Sequence, residues 1–245
     1  INIPFMELVN EAAGYGKPRE EKEMTAWWPS GIGSCPTGRF LQRKKLVTPE
    51  EFDARTLRVF FCGNHFEDWL SGAFESEAKK RFPDIVIERS VPFEDKELGV
   101  RGKADMRVVL GDTVRLYEFK SKHSNSFHHM RKRGEAGQLH HRAQLWIGMH
   151  ILGIDQGSLV YISKDDLTTL EFPVFRNDPM LGKVALYDIA LMNAALEANL
   201  PPRPLSDKAW QSKYCMCHSA CKSQEKYLET PADNWFYEAW EPEDV

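Results

Sequence analysis

Two short charged runs, Gly102-Lys103-Ala104-Asp105 and Glu118-Phe119-Lys120, lie on either side of Gly111-Asp112 and set the strongest limit on how this chain folds. Met106 to Leu110 and Val114 to Phe119 are rich in apolar and β-branched residues, and a Gly-Asp pair between two such runs signals a two-residue hairpin turn. That turn fixes the register. Leu110 then faces Thr113 and, counting outward, Asp105 faces Glu118, with cross-strand Cβ atoms roughly 5 Å apart. Side chains alternate faces along a strand, so Glu118 and Lys120 share one face while Tyr117 and Phe119 share the other. Two carboxylates and one amine converge at a sheet edge. Such oxygen donors suit Mg²⁺ or Mn²⁺, which take carboxylates, water and phosphate oxygens. A lone Glu-x-Lys reads as the solvated face of a half-buried strand; the pairing with Asp105 is what points to metal-assisted hydrolysis of a phosphate ester.

These residues resemble the PD-(D/E)xK nuclease superfamily, and within it the RecB-like exonuclease branch. The resemblance implies an α/β fold with a restriction-endonuclease-like core, a central mixed β-sheet flanked by helices. It implies that Asp105 and Glu118 bind the catalytic metal, and that Lys120 assists the attacking water or stabilises the charged transition state. Ala104 stands where the signature has proline, a residue often absent in this branch.

A third metal ligand is expected on the preceding helix. From Pro49 to Phe82 there is no internal proline, and Phe60, Gly63, Leu70 and Phe74 are spaced as one helical face. Glu67 sits on that stripe, where a carboxylate is costly unless paired, hydrogen-bonded or bound to metal. The branch places a ligand, commonly histidine, four residues after a glycine of this helix; here that position is Glu67, with His65 as the alternative. Glu135 to Leu152 reads as the next long helix and carries Gln144, one turn after His140 and His141. The branch has a glutamine here, followed by a strand such as Ser158 to Ile162, and the resemblance gives Gln144 a supporting role near the lysine.

Five cysteines supply a second signal: Cys215, Cys217 and Cys221 cluster late, Cys35 stands early, and Cys62 lies within the long helix, where it reads as core packing. No secretory segment is apparent, so a metal or cluster site is favoured over a disulfide framework, and thiolates suit zinc or iron-sulfur clusters. One cysteine before the core and three after it resembles the iron-sulfur nucleases of the branch, including CRISPR-adaptation exonucleases and viral relatives. Trp210, Cys215 and Cys221 match their tryptophan and C-x2-C-x5-C frame, while Ser212 occupies the place of the first cysteine. The resemblance implies a 4Fe-4S cluster on Cys35, Cys215, Cys217 and Cys221, with Cys217 replacing the missing ligand; His218 or a Zn²⁺ ion is the alternative. Residues 1–48 and 200–245 would then form a cysteine-cluster subregion around a nuclease core at 49–199, within a single domain. Such a cluster would close a loop spanning most of the chain.

The formal charge is −4, yet Glu229 to Val245 holds six acids and no Lys or Arg, leaving +2 for the remainder. Arg131-Lys132-Arg133 follows Lys120, Lys122, His123, His128 and His129 in a polar segment leading into the glutamine helix. This segment suits contacts to phosphates, which dominate non-specific nucleic-acid affinity, and otherwise reads as a solvated basic loop. No apolar run reaches the roughly 18 residues of a membrane span, and a cytoplasmic setting, in a cell or a virus-infected host cell, is expected. Residues 83 to 175 read as strands around one helix, and Met180 to Asn199 as an amphipathic helix. The sequence therefore points to an Mg²⁺- or Mn²⁺-dependent deoxyribonuclease, an exonuclease acting on the ends of single- or double-stranded DNA. The alternatives are endonuclease or flap cutting from the same site, or an inactive nucleic-acid-binding subunit.

Overall fold

A computed structural model describes residues 5–16, 24–133, 136–202, 205 and 209–219. Its centre is a five-stranded sheet in the order β1-β2-β3-β4-β5. β1 (Val86–Asp95), β2 (Val100–Leu110) and β3 (Thr113–Lys122) form an antiparallel meander, β4 (Gln156–Ser163) runs parallel to β3, and β5 (Thr169–Phe175) returns antiparallel. This is the mixed, helix-flanked α/β architecture the sequence implies. Gly111 takes φ +57° in the two-residue turn, and the β2–β3 ladder runs from Leu110↔Thr113 to Met106↔Tyr117, in the expected register.

A parallel β3–β4 pair needs a crossover connection, and here it contains two helices, α4 (Ser124–Arg133) and α5 (Leu139–Leu152), where the sequence reading expected one. The basic stretch is therefore helical rather than a solvated loop. Phe127 and Met130, three residues apart, are buried in the main core and pin α4 down, leaving Arg131 and Lys132 exposed. α5 starts later than the expected Glu135 because Gly137, at φ +86°, lies outside the helical region and approaches β4 closely; a Cβ there would sit 3.0 Å from Leu159 and 3.1 Å from Tyr161.

One face of the sheet packs on α5, with α6 (Pro179–Ala198, capped by Asp178) behind it; Leu116, Leu145, Met149, Leu159 and Ile189 belong to this core. The opposite face carries a smaller cluster of Ala78, Ile85, Met106 and Val108 beneath α3 (Ala54–Arg81), whose N-terminus is capped by Asp53. The 28-residue α3 is about 42 Å long, longer than the roughly 34 Å of a ten-residue strand. Its expected apolar stripe is accordingly not covered along its length. Ser71 and Ala78 are its buried residues, whereas Phe60 is 48% exposed. Cys62 is exposed too, which corrects its reading as core packing.

The N-terminal segment includes the short α1 (Phe5–Ala12) and then braces the sheet through Trp27. The Trp27 N–H donates to Gly99 O (2.7 Å), Arg101 N–H donates to Trp27 O (3.0 Å), and the indole donates to Asn193 on α6 (2.7 Å). Cys35 is the N-cap residue of α2 (Pro36–Arg43). α2 is tied to α6 by Arg39, which lies 2.6 Å from the fully buried carboxylate of Asp188, itself an acceptor for the Gly33 N–H. A last short helix, α7 (Trp210–Lys213), precedes Cys215. Removing one partner of a buried ion pair strands the other charge, so Asp188→Ala is expected to lower the unfolding free energy in denaturant titration by about 3–5 kcal/mol.

Candidate active site

The site forms where β2 and β3 part. Beyond Met106↔Tyr117 the next opposed pair is Asp105 and Glu118, and here Asp105 uses its side chain in place of the ladder: Oδ2 accepts the Phe119 N–H at 2.7 Å. The other side of Asp105 is irregular as well. The β1–β2 ladder skips the Ser90–Asp105 position, and Ser90 takes φ +51°, uncommon for a non-glycine residue. Ala104 consequently packs in the α5-side core while Met106 packs in the α3-side core. The break in β2 brings Asp105 to the same edge as Glu118.

Glu118 is 3% exposed, and its Oε1 accepts from Lys120 Nζ and from Gln144 Nε2, both at 2.5 Å. Strand alternation puts Glu118 and Lys120 on one face, and α5 lays Gln144 across them. Glu67 enters from α3, whose Gly63 passes close to β3; a Cβ there would lie 3.6 Å from Ser121 Oγ. The carboxylates sense one another. Burial, then Glu118 and Glu67, push Asp105 well above the usual aspartate range, against the pull of Lys120 and the Phe119 N–H. Burial, then Glu118 and Asp68, likewise raise Glu67. For Lys120, burial works against the charge, but Glu118, Asp105 and Glu67 outweigh it and hold the ammonium above its ordinary pKa. The carboxylates thus favour the ammonium form of Lys120.

The structure thus brings Asp105, Glu118, Lys120, Gln144 and Glu67 together. His65 instead packs edge-on against Phe61 at 4.4 Å, on α3. Among the described residues no three His, Cys, Asp or Glu side chains are disposed to hold a metal as they stand; Glu118 Oε1 accepts from Lys120 and Gln144, and Asp105 Oδ2 from the Phe119 N–H. The donor set nonetheless suits a hard cation, because three carboxylates share one half-buried place with a single ammonium and two of them hold their protons more tightly than usual.

The cysteines gather away from this edge. Cys215 receives hydrogen bonds from the Cys217 and Cys35 thiols, which push its own thiol down to about 3. Gly38 leaves room for them: a Cβ there would overlap Cys215 Sγ and lie 3.8 Å from Cys35 Sγ, and Cys217 Sγ sits 3.8 Å from Gly38 O. Ser212 donates to Leu205 O (3.3 Å). Cys221 lies outside the described residues. On α4, Arg131 and Lys132 are exposed and Arg133 is the last residue, while His128 reaches Asp166 at 3.2 Å. Sequence reasoning overlooked Tyr161, whose contact with His141 crosses from β4 to α5; no local pattern marks a pairing 20 residues apart.

A carboxyl whose folded pKa is raised favours folding below the ordinary carboxylate range, and that contribution is lost as pH rises through the folded value. Asp105→Asn keeps an acceptor for Phe119 and removes the charge. The metal-free variant is therefore expected to unfold at a higher temperature than the parent at pH 7–8, by about 2–4 °C per kcal/mol relieved, with the gap closing toward pH 4 in scanning calorimetry.

No protein-family model and no curated protein matches the chain. Solved structures do. The alkaline exonuclease LHK-Exo from Laribacter hongkongensis superposes with a TM-score of 0.52 at 16% identity, over 72% of this chain and 90% of that one. LHK-Exo in complex with dAMP gives 0.47 at 17% identity, over 71% and 92%. The crystal structure of SSO0001 gives 0.49 at 20% identity, over 89% and 94%. At such identities the likeness is one of fold: the five-stranded mixed sheet and its helices are similar to those of an alkaline exonuclease.

Proposed function

We propose that this protein is a metal-dependent nuclease that hydrolyses DNA phosphodiester bonds, working as an exonuclease from DNA ends. The observation that carries this reading is the buried Glu118, held by Lys120 and Gln144 beside Asp105 and Glu67. The nuclease-like fold supports it. Glu67, Asp105 and Glu118 are the residues that would hold Mg²⁺ or Mn²⁺, which when bound polarises a phosphate and lowers the pKa of a bound water. Lys120, cationic at working pH, steadies the negative charge that develops on the phosphate oxygens. Gln144 fixes the orientation of the Glu118 carboxylate. Arg131, Lys132 and Arg133 on α4 supply phosphate contacts that draw the DNA backbone in without reading its sequence.

Cys35, Cys215, Cys217 and Cys221 are proposed to hold a 4Fe-4S cluster that joins the two ends of the chain. The donor chemistry fits: Cys215 is hydrogen-bonded to both the Cys35 and the Cys217 thiols, beside a glycine that leaves room for sulfur. The cluster's part is structural. Between N- and C-terminal segments it would brace Trp27 and Pro29 against β2, where a Cβ on Gly102 would come within 2.8 Å of Pro29 and Phe93.

End-labelled linear and closed-circular DNA, single- and double-stranded, incubated with Mn²⁺ provides the test. Linear DNA is expected to be degraded from its ends and circles spared; cleavage of circles would reassign the protein as an endonuclease. Glu118→Ala and Lys120→Ala are each expected to lower the rate by at least about 10²–10³-fold without unfolding the protein, and full activity in both would remove the site assignment. Glu67→Gln should raise the metal concentration needed for half-maximal rate more than His65→Ala does. In anaerobic preparations iron analysis is expected to find about four irons per chain, lost with Cys215→Ala or Gly38→Val and retained with Cys62→Ala. Stoichiometric zinc without iron would replace the cluster by a zinc site.

A further inference from the structure

Beside the lysine strand lies a polar cluster with no part in the chemistry above. Tyr161 is fully buried in β4 and is the register partner of Lys120 in the parallel β3–β4 ladder. Its hydroxyl accepts the N–H of Gln138, the N-cap residue of α5, at 3.0 Å, and lies 2.8 Å from Nδ1 of His141 in the first turn of that helix. One hydroxyl therefore ties the start of α5 to the strand next to Lys120. Gly137 permits the approach, since it comes as near to Tyr161 as a residue without a side chain can.

The Tyr161 hydroxyl and His141 Nδ1 share one hydrogen between them, and either group can donate it. The surroundings keep the imidazole neutral. Burial, then His140, Lys120 and Lys122, keep His141 well below the ordinary histidine pKa, and His140, its ring 4.0 Å away, is held at about 4 by burial and the same two lysines. Three residues after His141, about 4.5 Å further along the helix axis, Gln144 donates to Glu118 Oε1 at 2.5 Å.

We propose that Tyr161 and His141 are a positioning pair for the active site: their hydrogen bond sets how closely the first turn of α5 lies on β4, and so aims Gln144 at the carboxylate that holds Lys120. The pair touches neither substrate nor metal. It acts through Gln144, and the kinetic part of the proposal rests on the nuclease reading.

Tyr161→Phe removes the O–H and keeps the ring. Per folded molecule, it is expected to lower kcat about tenfold with KM for DNA unchanged. His141→Leu should match it, His141→Gln, which restores an acceptor, should recover part of the loss, and the double variant should be no slower than either single one. In a Gln144→Ala background Tyr161→Phe should have no further effect. A lowered melting temperature with unchanged kcat, or full additivity with Gln144→Ala, overturns the proposal. A second measurement needs no activity. In ¹⁵N NMR of the metal-free protein, the His141 ring nitrogens and the Gln144 side-chain amide should both move in Tyr161→Phe. Unmoved His141 ring nitrogens, or an unmoved Gln144 amide, overturn the pair even if the wild-type protein cuts no DNA.

Discussion

Glu118 keeps a carboxylate where only 3% of the residue reaches solvent, on the middle strand of a five-stranded sheet. A charge taken so far from water costs several kcal/mol unless it is compensated, and here the compensation comes from two directions. Lys120 answers it along the same strand, and Gln144 answers it from α5. These contacts require β3 to be flanked, α5 to lie across it, and the parallel β4 to receive the crossover. Asp105 joins through a different device: a strand broken at one residue, with the side chain taking over a backbone partner.

This balance leaves the site in tension. Lys120 alone does not neutralise Glu118, Asp105 and Glu67, so burial and mutual repulsion lift two of the carboxyls above their ordinary range. Residues arranged for stability alone would not keep such a surplus of negative charge out of water. On the proposed reading a divalent cation would relieve the same excess, so the charge balance of the site bears on that reading more directly than any single distance within it.

The hairpin was legible because its information is local: Gly111-Asp112 fixes a two-residue turn, and alternation does the rest. α3, α5 and α6 were legible as helices, whereas Gln144 was singled out only through the family resemblance. What escaped depended on tertiary contact. α4 is polar over most of its length, and only Phe127 and Met130 betray that it docks. The start of α5 is decided by how close Gly137 comes to Tyr161, not by the propensities of the residues around Glu135. A stripe on α3 that looked like a buried face runs past the sheet it was expected to cover, leaving Phe60 and Cys62 in solvent. The Ser90 irregularity opposite Asp105 has no signature in the sequence at all.

The Trp27 brace also sets an order of events in time. Its indole is bonded to Asn193, 166 residues later in the chain, and α2 is held by Asp188, so neither contact can form until α6 has been synthesised. At about 5–20 residues per second, that interval is roughly 10–30 s. Through it the nascent chain carries the Trp27 indole without Asn193 and Cys35 without Cys215, while the meander of β1 to β3 already has its own local turns. The sheet is thus the part of the molecule that can assemble as it emerges, and the early cysteine must wait, its thiol open to whatever the surroundings contain, for Cys215 to arrive.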